Sequence, residues 1–142
     1  KNIEKKSARL DINSLDLKTM EGGLVDIEFL VQIIKIIFNS KYPSIKMKST
    51  PDVLSFIKTK KLFAVKDIKF LYDAYYYLRN IEKYIALNNL SERYILRKKD
   101  DREIDKLIGF SSPEELFESA SQKMKSVRLI YNQMFKKFER FV

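Results

Sequence analysis

From Ser112 to Phe141 apolar side chains recur at Leu116, Ala120, Met124, Val127, Tyr131, Met134, Phe138 and Phe141, at spacings of four and three residues. A helix repeats at about 3.6 residues, so this rhythm draws one apolar stripe along a helix ~45 Å long. A helix cannot bury such a stripe alone. It needs partner helices laid along it, which is the arrangement of a bundle. The start of the segment is also legible: Ser112 is the N-cap, Pro113 takes the first helical position and Glu115 the third, a capping-box arrangement.

Two further segments supply partners. From Gly23 onward, Leu24, Ile27, Val31, Ile34 and Phe38 follow spacings of three and four. Val25, Phe29, Ile33 and Ile36 fill much of the remaining circumference, which predicts a nearly buried helix with a narrow polar stripe of Glu28, Gln32, Lys35 and Asn39. Val65 to Asn88 predicts a long helix with Ile68, Leu71, Tyr75, Leu78, Ile81 and Ile85 on one side and Tyr72, Tyr76 and Tyr77 around it.

Between these two helices, a loop containing Pro43 leads to a short helix that starts at Thr50, has Pro51 at its first position and ends at Lys60 or Lys61. A loop from Asn89 to Lys99 precedes another short helix, which stops at Gly109. Lys1 to Met20 is polar, and its alternation from Leu10 to Lys18 fits either a short strand or an extended lead-in. The expected fold is therefore all-α: an antiparallel bundle of about five helices, three long and two short. Residues 1–20 form the lead-in, and residues 21–142 form a single bundle domain.

Composition narrows the function classes. At 142 residues the chain is about one domain long. With only 3 Gly and 3 Pro, many strands joined by tight turns are not expected. The absence of Cys and His removes disulfides, thiolate nucleophiles, the usual zinc ligand sets and every imidazole-based triad. Any metal would be a hard cation on oxygen ligands, Mg²⁺ being usual where phosphates are handled. A Cys-free chain fits a cytoplasmic location. The apolar run from Leu24 to Phe38 is broken by Asp26, Glu28, Gln32 and Lys35, so no signal peptide and no membrane span is expected. The sequence begins at Lys1 without an initiator Met, as a piece of a longer protein would.

A formal net charge of +9 raises a nucleic-acid reading. The cations, however, are spread over Lys5 and Lys6, Lys46 and Lys48, Lys58 to Lys61, Arg97 to Lys99, and Lys136 and Lys137, with acidic or apolar neighbours each time and no groove-reading motif. A solvated, Lys-rich surface is the expectation, without a nucleic-acid partner.

The segment EGGLVDIEFLVQ, residues 21–32, asks for more than a structural helix does. Two glycines open backbone angles closed to other residues and allow another segment to approach closely. Carboxylates near a helix start are favoured by the helix dipole. Asp26 and Glu28 nonetheless lie ~200° apart around the axis, so one of them is expected to face a partner. The candidate is Arg79, flanked by apolar residues in YYYLRNIEKY. Arg79 and Glu82 share a helix face and would form a polar strip against Glu28 and Gln32.

DLKTMEGGLVDIEFLVQ, Asp16 to Gln32, resembles the signature opening the helical domain of bacterial glutamine synthetase adenylyltransferases. YYYLRNIEKYIAL, Tyr75 to Leu87, is similar to that family's Tyr, Leu-Arg and Glu pattern on a later helix. KLIGF and the helix containing VRLIYNQMF, Val127 to Phe135, give a third and weaker likeness. Two departures are Leu96-Arg97, where many members have Leu-Pro, and the Ile85-Ala86 region, where a Gln is frequent.

The resemblance implies a large two-headed enzyme. One half transfers AMP from ATP to a tyrosine of glutamine synthetase, and the other removes it by phosphorolysis under the control of PII signal proteins. It implies ATP and Mg²⁺ in the parent enzyme but no catalytic residue, metal or cofactor in this chain, because the family's glycine-serine turn and paired metal-binding aspartates have no counterpart here. DIN at Asp11 and DIE at Asp26 do not replace them. The catalytic domain would precede Lys1. Asp16, Lys18, Gly22, Gly23, Asp26 and Glu28 would then lie at the domain junction or close to the nucleotide site. The related PII uridylyltransferases, a stand-alone helical interaction module and a basic nucleic-acid-binding bundle are the alternatives.

Overall fold

A computed structural model describes residues 12–141. The lead-in from Lys1 to Asp11, with the start of its alternation at Leu10 and the Asp11 carboxylate, lies outside the described residues. Among the described residues the architecture is the expected helical one: α1 (Leu24–Phe38), α2 (Thr50–Lys60), α3 (Val65–Asn88), α4 (Ile104–Ile108) and α5 (Pro113–Phe138). Short 3-10 turns lie at Pro43–Met47, Leu90–Glu92 and Glu139–Phe141.

Helix boundaries follow local chemistry. Ser49 caps α2, its hydroxyl accepting from the Asp52 amide at 3.4 Å, and Lys61 ends that helix in the left-handed region at φ 54°. Gly109, at φ 98°, ends α4. The Ser112 hydroxyl caps α5 by accepting from the Glu115 amide at 3.1 Å. The box is not reciprocal, because the Glu115 carboxylate accepts from the Ser111 hydroxyl at 2.6 Å. α5 gives way to the 3-10 turn at Glu139, so it runs ~39 Å rather than the expected ~45 Å. Its innermost positions include Ile130, while Tyr131 is half-buried and Phe141 is exposed.

The segment from Asn89 to Lys99, which the sequence reads as a loop, contains a strand. β1 (Ser14–Asp16) and β2 (Ile95–Arg97) pair antiparallel, with Ser14 opposite Arg97, Leu15 opposite Leu96 and Asp16 opposite Ile95. The Leu17 amide donates to the Tyr94 carbonyl at 2.8 Å, and the Lys98 amide to the Asn13 carbonyl at 2.8 Å, extending the ladder at both ends. Leu15 and Leu96 point from this ribbon into the core, which is why the alternation falls where it does.

The core has two parts. One joins α1, α2, the first half of α3 and the second half of α5 through Ile27, Leu30, Ile34, Leu54, Leu71 and Val127. The other joins the ribbon to α4 and the remaining halves of α3 and α5 through Leu17, Leu24, Leu78, Leu96, Ile104 and Met124. The expectation that α1 is nearly buried is corrected: Val25, Phe29 and Ile36 are 40, 47 and 78% exposed. They form a lateral stripe that is covered only in part, by Phe135 of α5, which stacks on Phe29 at a centroid distance of 6.0 Å.

Candidate junction site

The lead-in reaches the bundle through a chain of main-chain contacts. Asp16, at the end of β1, accepts from the amides of Lys18 at 2.9 Å and Thr19 at 3.0 Å, turning the chain. The turn then presents carbonyls to the start of α1: Leu24 donates to Leu17 and Val25 to Lys18, each at 2.9 Å, and Gly23 donates to Met20 at 2.8 Å. Backbone thus caps α1 where no side chain does. Lys18 lies over the Tyr94 ring at 4.9 Å, and the Arg93 guanidinium approaches the same ring at 4.9 Å.

Both glycines are required by close approach. A Cβ on Gly22, which sits at φ 81°, would fall 1.8 Å from the Met124 carbonyl oxygen of α5. A Cβ on Gly23 would meet the carbonyl oxygens of Leu17, Lys18 and Met20 at 2.7 to 2.9 Å. The pair therefore lets the lead-in press against α5 on one side while capping α1 on the other.

Asp26 closes the same junction. Its Oδ2 accepts from the Gly22 amide at 2.6 Å and from Arg128 Nη1 of α5 at 2.8 Å. Arg128 Nη2 stands 3.5 Å from Glu21, and the guanidinium covers the Tyr131 ring at 4.5 Å. The Asp26 and Arg128 side chains are only 15 and 31% exposed. The hydrogen bond to Asp26 holds the Arg128 guanidinium above its ordinary range. Burial, with the Asp26 charge second, pushes the Tyr131 hydroxyl up. Beside this cluster an apolar groove of about 460 Å³ is lined by Leu15, Met20, Met124, Arg128 and Leu129 among others.

The partner of Asp26 is therefore Arg128 and not Arg79. Arg79 follows the inward-facing Leu78 and is rotated to solvent, 47% exposed, where it pairs with Glu82 of its own helix at 3.4 Å. Glu28 is half-buried on the other flank of α1, and Gln32 is exposed. Burial raises the Tyr75 hydroxyl, with the Arg79 charge opposing and the Glu28 charge assisting, so all three share one neighbourhood without an ion pair between Arg79 and Glu28. The expected strip of Glu28, Gln32, Arg79 and Glu82 is not a closed inter-helix network.

Sequence reasoning missed Arg128 and Glu21. The signal was present, since Arg128 follows the seam position Val127 and lies at the edge of the apolar stripe. It also missed a second knot. The buried Asp100 accepts from the Arg97 amide at 3.1 Å, the Arg102 amide at 3.2 Å and Arg102 Nε at 2.7 Å, and pairs with Arg102 Nη2. Arg102 Nη2 also donates to the Ile95 carbonyl at 2.7 Å. Burial pushes the Asp100 carboxyl up, but the Arg102 hydrogen bond, the two amides and the guanidinium charge outweigh it and hold it below the usual carboxylate range.

Among the described residues no group of three or more Asp or Glu gathers as a metal site requires, and no helix is long and apolar enough to cross a membrane.

Comparison with known proteins adds a separate finding. The sequence model of the family described as GlnD PII-uridylyltransferase matches residues 2–135. A bifunctional glutamine synthetase adenylyltransferase/adenylyl-removing enzyme of Rhizobium meliloti is 22% identical over 136 residues, 94% of this chain and 14% of that protein. Enzymes of the same name from Mycobacterium marinum and Corynebacterium glutamicum are 30 and 28% identical over 66 and 65% of this chain, and 9% of each relative. The chain thus spans about a seventh or less of the length of these relatives.

Proposed function

The chain belongs to the GlnD PII-uridylyltransferase family, and from that premise we propose that it is the helical accessory and regulatory domain of a glutamine synthetase adenylyltransferase. The relatives that carry that name support this reading, and one observation in the fold carries it to particular residues. Where the lead-in arrives, Val25 and Phe29 of α1 and Leu129 of α5 lie uncovered beside the Asp26–Arg128 cluster and its apolar groove. An apolar face at the fixed point where the chain enters suits contact with a preceding domain.

In this reading a nucleotidyltransferase domain stands upstream and holds ATP and Mg²⁺. Asp16, Lys18, Gly22, Gly23 and Asp26 then fix the path and angle at which that domain meets the bundle. Glu28, Gln32, Arg79 and Glu82 lie on the flank and contact it less. The chain alone transfers no AMP, the parent acts on glutamine synthetase in the cytoplasm, and a PII signal protein sets its direction.

The experiment is AMP transfer from ATP with Mg²⁺ onto glutamine synthetase, read as a mass shift, for the longer protein and for this chain alone. The expected result is a shift with the longer protein and none with the chain. The name of the matched family favours a second reading, a PII uridylyltransferase, so a parallel arm offers UTP and PII. Transfer of UMP to PII without transfer of AMP to glutamine synthetase would replace the first reading by the second.

A further inference from the structure

Cations that lie far apart in the sequence meet at one end of the bundle. Phe38, which ends α1, packs edge-on against Phe63 at a centroid distance of 6.1 Å and against Phe141 at 5.4 Å, and Phe63 meets Phe138 at 5.7 Å. The helix ends around these four rings therefore share one pole. Between Phe38 and Phe63 the chain carries Lys41, Lys46, Lys48, Lys58, Lys60 and Lys61 against the single carboxylate of Asp52. The end of α5 adds Lys136, Lys137 and Arg140 against Glu139, whereas its start carries Glu114, Glu115 and Glu118. The net charge of +9 is thus gathered toward one pole rather than spread evenly over the surface.

Three of these lysines are held in place. Lys60 Nζ lies over the Tyr42 ring at 5.2 Å and over the Phe56 ring at 5.0 Å, while Lys41 shares the first ring and Lys48 the second, each at 5.5 Å. The two rings meet edge to face at 5.3 Å. Three ammonium groups therefore stand round one aromatic pair, their mutual repulsion offset by the ring faces. Among the described residues, no carboxylate forms an ion pair with any of the three. The counter-charge is left for a partner to bring.

We propose that this pole docks an extended acidic segment of a separate partner protein, whose carboxylates pair with Lys41, Lys48 and Lys60. The pole lies ~18 Å along α1 from Asp26, so the inference stands whether or not the proposed function does. A nucleic-acid strand fits less well. It would use arginine forks and open ring faces, but Arg140 is the one arginine here and the Tyr42 and Phe56 rings are overlain by ammonium groups. A lipid surface fits less well too, because it takes up a helix by an exposed apolar stripe, and Val53, Leu54 and Ile57 of α2 are turned into the core.

The test is fluorescence anisotropy of a labelled peptide of alternating Glu and Ser, titrated with the chain at low and at physiological salt. The Glu peptide is expected to bind more weakly as salt rises, and a Gln and Ser peptide not to bind. Lys48→Glu with Lys60→Glu should weaken the Glu peptide by about tenfold or more. Lys98→Glu with Lys99→Glu makes the same charge change on the ribbon and should leave binding within about threefold. Circular dichroism melts establish that each variant folds.

Absence of binding by the Glu peptide, equal binding of the Gln peptide, or equal weakening by both pairs of substitutions would overturn the proposal. So would a short single-stranded RNA that displaces the peptide at a lower concentration of charge than free peptide does. Cosedimentation with phosphatidylserine vesicles that the Lys48 and Lys60 changes abolish would assign the pole to lipid instead. In the longer protein the peptide should bind as it does to the chain, and loss there would mean that the same polypeptide covers the pole, against a separate partner. Should the Lys48 and Lys60 variant unfold, Lys41→Gln and Lys60→Gln should each weaken the peptide about threefold, and unchanged affinity in both would sink the idea.

Discussion

Asp26 and Arg128, 102 residues apart in the chain, meet at 2.8 Å and tie the first turn of α1 to the middle of α5. The same carboxylate oxygen takes the Gly22 amide, so one side chain fixes two helices and the approach to them.

Arg128→Met should therefore lower stability by about 1 to 2 kcal/mol, the range for a hydrogen bond to a charged group that is partly screened. A double-mutant cycle of Asp26→Asn with Arg128→Met should give a coupling above ~0.5 kcal/mol, and a cycle of Asp26 with Arg79 should give none. Denaturant midpoints measure both, and additive losses for Asp26 and Arg128 would contradict the pairing.

The three glycines should rank by what a methyl group would strike. Gly22→Ala forces a Cβ onto the Met124 carbonyl in a left-handed backbone, which should cost about 3 kcal/mol or more. Gly23→Ala has ordinary backbone angles but three carbonyls in the way, for about 1 to 3 kcal/mol. Gly109→Ala points into open space and should cost only its backbone strain, about 1 kcal/mol. Thermal melts of the three variants test the order, and a Gly22→Ala protein as stable as Gly109→Ala would refute it.

Acid should act on Asp100. Its folded carboxyl titrates below the unfolded range, so its stabilisation is complete above the unfolded value of about 4 and is lost as pH falls through the lower folded value. Asp100→Asn should cost about 3 kcal/mol at neutral pH, because Arg102 is left buried without its counter-ion, and should flatten this part of the acid slope. Urea midpoints between pH 5 and pH 2 give the comparison, and parallel slopes for the two proteins would rule Asp100 out as a source.

Val25→Glu and Leu129→Glu place charges on side chains that already face solvent, so each should shift the stability of the chain by no more than ~0.5 kcal/mol. In a longer protein carrying the nucleotidyltransferase domain, the same changes should reduce AMP transfer severalfold if this face meets that domain. Full activity in both variants would mean that the junction lies elsewhere.

Helix positions were legible because each is set by its own residues. α3 runs over Val65–Asn88 as its periodicity requires, and Ser112 caps α5 as its spacing implies. The ribbon was only half legible. Alternation marked Leu10 to Lys18 as a strand or lead-in, but the partner strand at Ile95–Arg97 is too short to show a period, and pairing across some 80 residues leaves no local trace. Exposure along α1 misled for a related reason. Val25, Phe29 and Ile36 are as apolar as the buried Ile34, and a one-dimensional pattern cannot say which side of a helix a neighbour will cover.

The sequence by itself determined where the helices lie, and that Gly22, Gly23 and one of Asp26 and Glu28 answer to something beyond helix formation. Propensity, capping and periodicity act within a few residues and are written locally. Only the tertiary structure decided that Asp26 pairs with Arg128 rather than Arg79, that Asp100 is buried beneath the Arg97–Lys99 turn, and that Gly22 receives the Met124 backbone. Those outcomes depend on the angle at which packed elements cross, and that angle is fixed by the fit of the whole core rather than by any one segment.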